Sequence, residues 1–151
     1  MRYVTGLAGA LAPLLLGAGL VAAGAASAQD ADYAYVGATL FGENEVGHEG
    51  AGEDVSGDFN AELDLTNGKI CYLLEVEGLD EVVAAHIHEG REGSNGAPVM
   101  SLQLASDNGD DVCVDADKEL LKRIARRSDG YYVNVHTKAF PEGAVRGQLG
   151  K

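Results

Sequence analysis

Three of the chain's four histidines stand in two short segments, HIHEG at 86–90 and YYVNVHT at 131–137. On an extended strand, side chains two apart share a face. His86 and His88 therefore point one way and Ala85 and Ile87 the other. The same alternation sends Val133 and Val135 to a core and turns Asn134 and His136 outward. If the two strands are close neighbours, three imidazoles converge on the solvent-facing side of a sheet. Neutral imidazoles in that number suit Cu(II) or Zn(II). The opposing reading is structural, with the three rings bracing the HIHEG turn against the PEGAVRGQL segment at 141–149.

Other residues nearby also admit two readings. Glu89 and Arg146 are expected either to form an ion pair that locks two strands, since a guanidinium grips a carboxylate bidentately, or to stand as acid and cation beside a metal. The loop 90–96, with Arg91, Glu92, Ser94 and Asn95, reads as a Gly-rich turn or as a cradle for a ligand. Tyr131 and Tyr132 face opposite sides of their strand, which assigns one to the core and the other to the surface. Ser94 and Ser101 lie near the histidines but in no nucleophile-elbow pattern, so nucleophilic catalysis finds little support.

The elements that must position these residues are short apolar-alternating runs separated by Gly, Asn and Asp, which argue for an all-β sandwich or barrel. The runs are 33–41, 55–65, 69–76, 82–89, 97–102, 111–114, 131–138 and 143–149. Asn67-Gly68 marks a hairpin between the second and third, because both residues tolerate the positive φ of a tight turn. One helix is expected over 117–127: Asp117 is a capping residue, Leu120, Leu121 and Ile124 recur at helical spacing, and basic residues close it. Its cluster of Lys122, Arg123, Arg126 and Arg127 reads as a solvated face. The Gly- and acid-rich segment 43–54, which holds His48, reads as a mobile loop.

The first residues resemble a secretory signal peptide over 1–28: Arg2, an apolar stretch, then the small-x-small pattern Ala26-Ser27-Ala28. A membrane anchor is the competing reading of the same stretch. Cleavage would leave one domain at 29–151, secreted or periplasmic and without stable membrane insertion. In that compartment Cys71 and Cys113 read as one disulfide, with two buried thiols as the alternative. With 24 Asp plus Glu against 11 Lys plus Arg, the chain is a poor partner for nucleic acid or an anionic membrane surface.

Taken together, CYLLEVEGL at 71–79, AAHIHEGREGSNGAPV at 84–99 and GYYVNVHTKAFPEGAVRGQL at 130–149 closely resemble the CHRD domain, named after chordin. The resemblance implies an exported antiparallel β-sandwich, Greek-key-like, of about eight strands with one short covering helix. The animal relatives imply an interaction module for an extracellular or periplasmic ligand rather than an enzyme, an inference by fold analogy. A second, local likeness is to the copper-binding pieces of copper/zinc superoxide dismutase: HIHEG followed by Asn95-Gly96, Val135-His136, and Arg146 before a glycine. It implies one copper ion on His86, His88 and His136, with His48 a conceivable fourth ligand and Arg146 an anion guide. No histidine lies between His88 and His136 to bridge two metals, which excludes the two-metal centre. Three functional readings follow: a metal-binding interaction module, a copper-only dismutase-like enzyme, and a purely structural surface protein.

Overall fold

The computed structural model of the protein describes residues 32–104 and 109–151, so the expected signal segment lies outside the described residues. Among the described residues eight strands form in chain order: β1 Tyr33–Phe41, β2 Ser56–Asp64, β3 Lys69–Glu77, β4 Val82–Glu89, β5 Pro98–Leu102, β6 Val112–Asp115, β7 Tyr131–Thr137 and β8 Val145–Gln148. All pair antiparallel in one sheet of order β5-β4-β7-β8-β1-β2-β3-β6. The all-β expectation with one short helix is met. The sheet curls, bringing the inner faces of β2 and β3 (Phe59, Leu63, Ile70, Leu74) into one core with Ile87, Val133 and Val135 of β4 and β7. Tyr72 Oη of β3 accepts from the Gln103 amide just beyond β5 at 2.9 Å, so the far ends of the sheet meet.

Local chemistry places the elements where alternation and capping require. Gly68 takes φ +71° in the β2–β3 hairpin. The Asp64 carboxylate accepts from the amides of Thr66 and Asn67 at 3.0 and 2.8 Å, an Asx turn that holds the hairpin closed. Helix α1, Lys118–Arg126, is capped by Asp117, whose side chain accepts from the Leu120 amide at 2.7 Å. It buries Leu120, Leu121 and Ile124 against the core and leaves Arg123, Arg126 and Arg127 exposed. Ile87 is fully buried, and its truncation to alanine would cost about 2–5 kcal/mol.

Two expectations about the surface are corrected. The 43–54 segment, expected as a mobile loop, is tied down onto β8: Ala51 N donates to Ala144 O at 2.8 Å and Asn44 Nδ2 to Arg146 O at 3.0 Å. Gly42 and Gly50 permit this closeness, since a Cβ on Gly50 would collide with the carbonyls of Gly42 and Ala144. Tyr131 and Tyr132 do face opposite sides, yet both are buried, because the outer face on which Tyr132 stands is itself roofed by side chains and loops.

Cys71 and Cys113 are direct cross-strand partners on β3 and β6 and form a disulfide that spans 42 residues of sequence. It fastens the four-residue edge strand β6 to the sheet. Replacing both cysteines with alanine should lower the unfolding free energy by about 4 kcal/mol in the chain-entropy picture, read as a reduced midpoint in denaturant titration. An unchanged midpoint would show that β6 holds its place without the bond.

Candidate metal centre

The outer face of the β4–β7–β8 half is a polar layer set by register. β4 and β7 pair His86 with Asn134, His88 with Tyr132 and Ala84 with His136; β7 and β8 pair Asn134 with Arg146 and Tyr132 with Gln148. Because Ile87, Val133 and Val135 are fully buried on the other side, these polar residues share the face away from the core. The three histidines meet there. Their ligand nitrogens all lie within 4.8 Å of one another, and their ring centroids are 5.2–6.1 Å apart.

The face was expected to be open to solvent; instead His88 is buried and His86 and His136 half-buried. Chain segments that fold back over the sheet close it in. The 90–97 loop brings Gly96 O to 2.9 Å from His88 Nδ1, and the turn before β8 brings Pro141 O to 3.1 Å from His136 Nδ1. A carbonyl oxygen only accepts, so each Nδ1 carries the proton and each Nε2 keeps its lone pair. Those two Nε2 atoms, together with His86 Nδ1, are buried and have no hydrogen-bond partner. Three buried nitrogens without partners, two of them oriented by carbonyls on the opposite side of the ring, make a donor set suited to a metal ion.

Arg146 does not pair with Glu89. Glu89 shares its side of β4 with Ile87 whereas Arg146 lies on the histidine side, so Glu89 turns to Arg127 at 3.8 Å. The Arg146 guanidinium lies 3.5 Å above the Tyr132 ring, and Tyr132 stacks on His88 with centroids 4.8 Å apart. Its N–H groups reach Asn95 Oδ1 at 2.9 Å, Ser94 O at 2.8 Å and Arg91 O at 3.2 Å. Arg146 is 2% exposed, and it fixes the same loop whose Gly96 carbonyl orients His88. The 90–96 segment is thus a turn held from below.

His48 is not one of the three residues whose ligand nitrogens lie within 4.8 Å of one another, although its charge bears on His136. The His48 Nδ1 lies 3.1 Å from Glu49 O and its Nε2 3.5 Å from Glu45 Oε2. Glu45 was not singled out by sequence reasoning. Its side chain is 1% exposed, it accepts from Asn134 Nδ2 at 3.2 Å, and its Oε1 has no partner. Burial raises the Glu45 pKa, opposed by the Asn134 hydrogen bond and the nearby His48 and Arg146 charges. Gly143 makes the space, since a Cβ there would stand 2.5 Å from Glu45 Oε1. Asn134 carried a legible signal in its outward position beside His136. Glu45 carried none, because the path of the 43–54 segment depends on tertiary docking.

The family model of the CHRD domain matches residues 36–149. The chain belongs to the CHRD domain family. Both histidine segments, the 90–97 loop and Arg146 lie inside the matched region. Comparison with curated proteins and with solved structures finds no match. Membership supports an extracellular-type interaction module, and the Cys71–Cys113 disulfide is compatible with that location. Among the described residues, no helix is long and apolar enough to cross a membrane.

Burial lowers the pKa of His88 and of His136 below the ordinary 6.5, in each case against the opposing effect of the carbonyl bond. The unfolded chain therefore takes up these protons first as pH falls. The stability associated with the neutral rings is complete above about pH 6.5 and is lost progressively below it. Metal-free protein should show that decline in denaturant titrations across pH 7.5 to 5, and a His88→Gln/His136→Gln variant should show a shallower one. Parallel curves for the two proteins would refute the assignment.

Proposed function

We propose that this CHRD domain is a secreted or periplasmic binding module that takes one transition-metal ion, copper by preference, on His86, His88 and His136. The observation that carries the reading is the convergence of three buried ring nitrogens that have no other partner. An all-imidazole set without thiolate or carboxylate favours Cu(II), and next Zn(II), over the hard cations that need converging oxygens. Ligands on one ion at ~2.0–2.1 Å stand closer together than the present spacing, so small side-chain rotations would complete the shell. Arg146, Asn95 and the Gly96 carbonyl act as positioning groups that hold the His88 ring before the ion arrives.

Dismutation of superoxide at the same ion is the second reading, drawn from the local likeness to copper/zinc superoxide dismutase. What bears on it is the use of Arg146. A guanidinium sealed between Tyr132 and the 91–95 backbone is better described as a brace than as an anion guide, and for this reason we rank binding above catalysis.

Metal content and spectroscopy test the proposal. The protein should bind one Cu(II) per chain by elemental analysis, with an electron paramagnetic resonance signal split by nitrogen ligands. Alanine at any of the three histidines should abolish stoichiometric binding. Arg146→Leu should keep the stoichiometry and weaken affinity about 10–100-fold through the loosened His88 carbonyl. Failure to take up copper or zinc, or uptake unchanged by the histidine variants, would overturn the site. Copper-loaded protein that dismutes superoxide no faster than free copper would remove the enzymatic reading alone.

A further inference from the structure

A second feature lies away from the histidine site, between helix α1 and the start of β1. There the surface opens into a groove of about 800 Å³, within the range of pockets that hold small organic ligands. Lys118, Lys122 and Arg126 recur every four residues and therefore form one stripe along the helix, roughly 12 Å from first to last at 1.5 Å per residue. Lys151 adds a fourth cation to the same rim. The chain carries a formal net charge of −13, and 4 of its 11 basic residues gather at this groove. Lys122 is paired to Glu119 at 2.9 Å; among the described residues, Lys118, Arg126 and Lys151 have no ion-pair partner.

The opposite wall is largely aromatic, with the Tyr35 hydroxyl turned to Glu62 Oε2 at 2.7 Å. Tyr33 and Tyr35 point from the same face of β1 and are 49% and 66% exposed, two of the four large hydrophobic side chains left exposed among the described residues. Leu65 and Ala125 add further apolar lining. The acid in the lining, Asp32, is engaged by the Thr66 hydroxyl at 2.9 Å. A solvated helix face accounts for a cation stripe, but it does not account for exposed aromatic rings across a groove from it. The two together match one ligand chemistry.

We infer that this groove binds an amphiphile, its anionic carboxylate or phosphate head on the Lys118–Lys122–Arg126–Lys151 rim and its apolar tail against Tyr33, Tyr35 and Leu65. The acidity of the rest of the protein slows the approach of such a ligand but does not govern its contacts, since beyond about 10 Å exposed charges are screened at ordinary salt. The rim cations act at direct range. This site is independent of the histidine centre, and its test needs no metal.

Dodecyl phosphate below its micelle concentration, dodecanol and inorganic phosphate serve as probes, each titrated into the full protein by calorimetry. Dodecyl phosphate should bind saturably at one per chain, at least tenfold more tightly than either dodecanol or phosphate alone. Lys118→Glu/Arg126→Glu should weaken it tenfold or more, and Tyr33→Ala should weaken both dodecyl ligands. Arg126→Lys should keep binding within about threefold. All these positions are exposed, and circular dichroism verifies that each variant is folded. Absence of saturable binding, equal affinity for dodecanol or phosphate, or indifference to charge reversal would overturn the inference. So would concentration-dependent self-association abolished by the same charge reversal, which would assign the groove to a second copy of the chain.

Discussion

Everything at the histidine site depends on the register that sets His86 opposite Asn134 and Asn134 opposite Arg146 across three neighbouring strands. A period of two allows each strand only two faces, so the core side chains Ile87, Val133 and Val135 dictate where every polar neighbour goes. A one-residue slip would bury the imidazoles in hydrocarbon and expose the valines. The hydrophobic core is thus what aims the polar face, and it does so from the opposite side of the sheet.

A polar face on a sheet can usually stay wet, and this one does not. The 43–54 segment, the 90–97 loop and the turn before β8 cover it, and each covering segment supplies backbone carbonyls or a side chain to the groups beneath. Most of the enclosed polar atoms are paired in this way, as desolvation requires. The exceptions on this face are a ring nitrogen from each of three histidines, one oxygen of Glu45, the Asn134 carbonyl and Gln148 Oε1. The stack of His88, Tyr132 and Arg146 beside them fixes ring planes, so the unpaired nitrogens keep a defined direction.

Much of this was readable from the residues, for a physical reason in each case. Alternation placed Ala85, Ile87, Val133 and Val135 in the core, and the cap at Asp117 and the turn at Asn67-Gly68 located the helix and a hairpin. Alternation also decided against a Glu89–Arg146 pair, because Glu89 has the parity of Ile87; the ion-pair reading weighed chemistry and overlooked the face. What local pattern could not carry was enclosure. Tyr132 is buried because a guanidinium from β8, the His88 ring and the 90–97 loop close over it, and Glu45 reaches Asn134 because glycines at 42, 50 and 143 let backbones and a carboxylate approach closely. Such contacts join neighbouring strands and docked segments through tertiary packing, beyond the reach of periodicity.

The curled sheet is not a closed barrel, and its two outermost strands bear on how the protein behaves in a crowd. β5 begins at a proline, which has no amide to offer a neighbour, and its pairing with β4 shifts register at His88. β6 is four residues long, ends in Asp115, follows the acidic pair Asp110-Asp111, and is bolted to β3 by the disulfide. Neither border presents the long, flat, uncharged ladder from which strand-by-strand polymerisation grows. A chain of this kind can be concentrated without its sheet borders seeding strand-by-strand assembly.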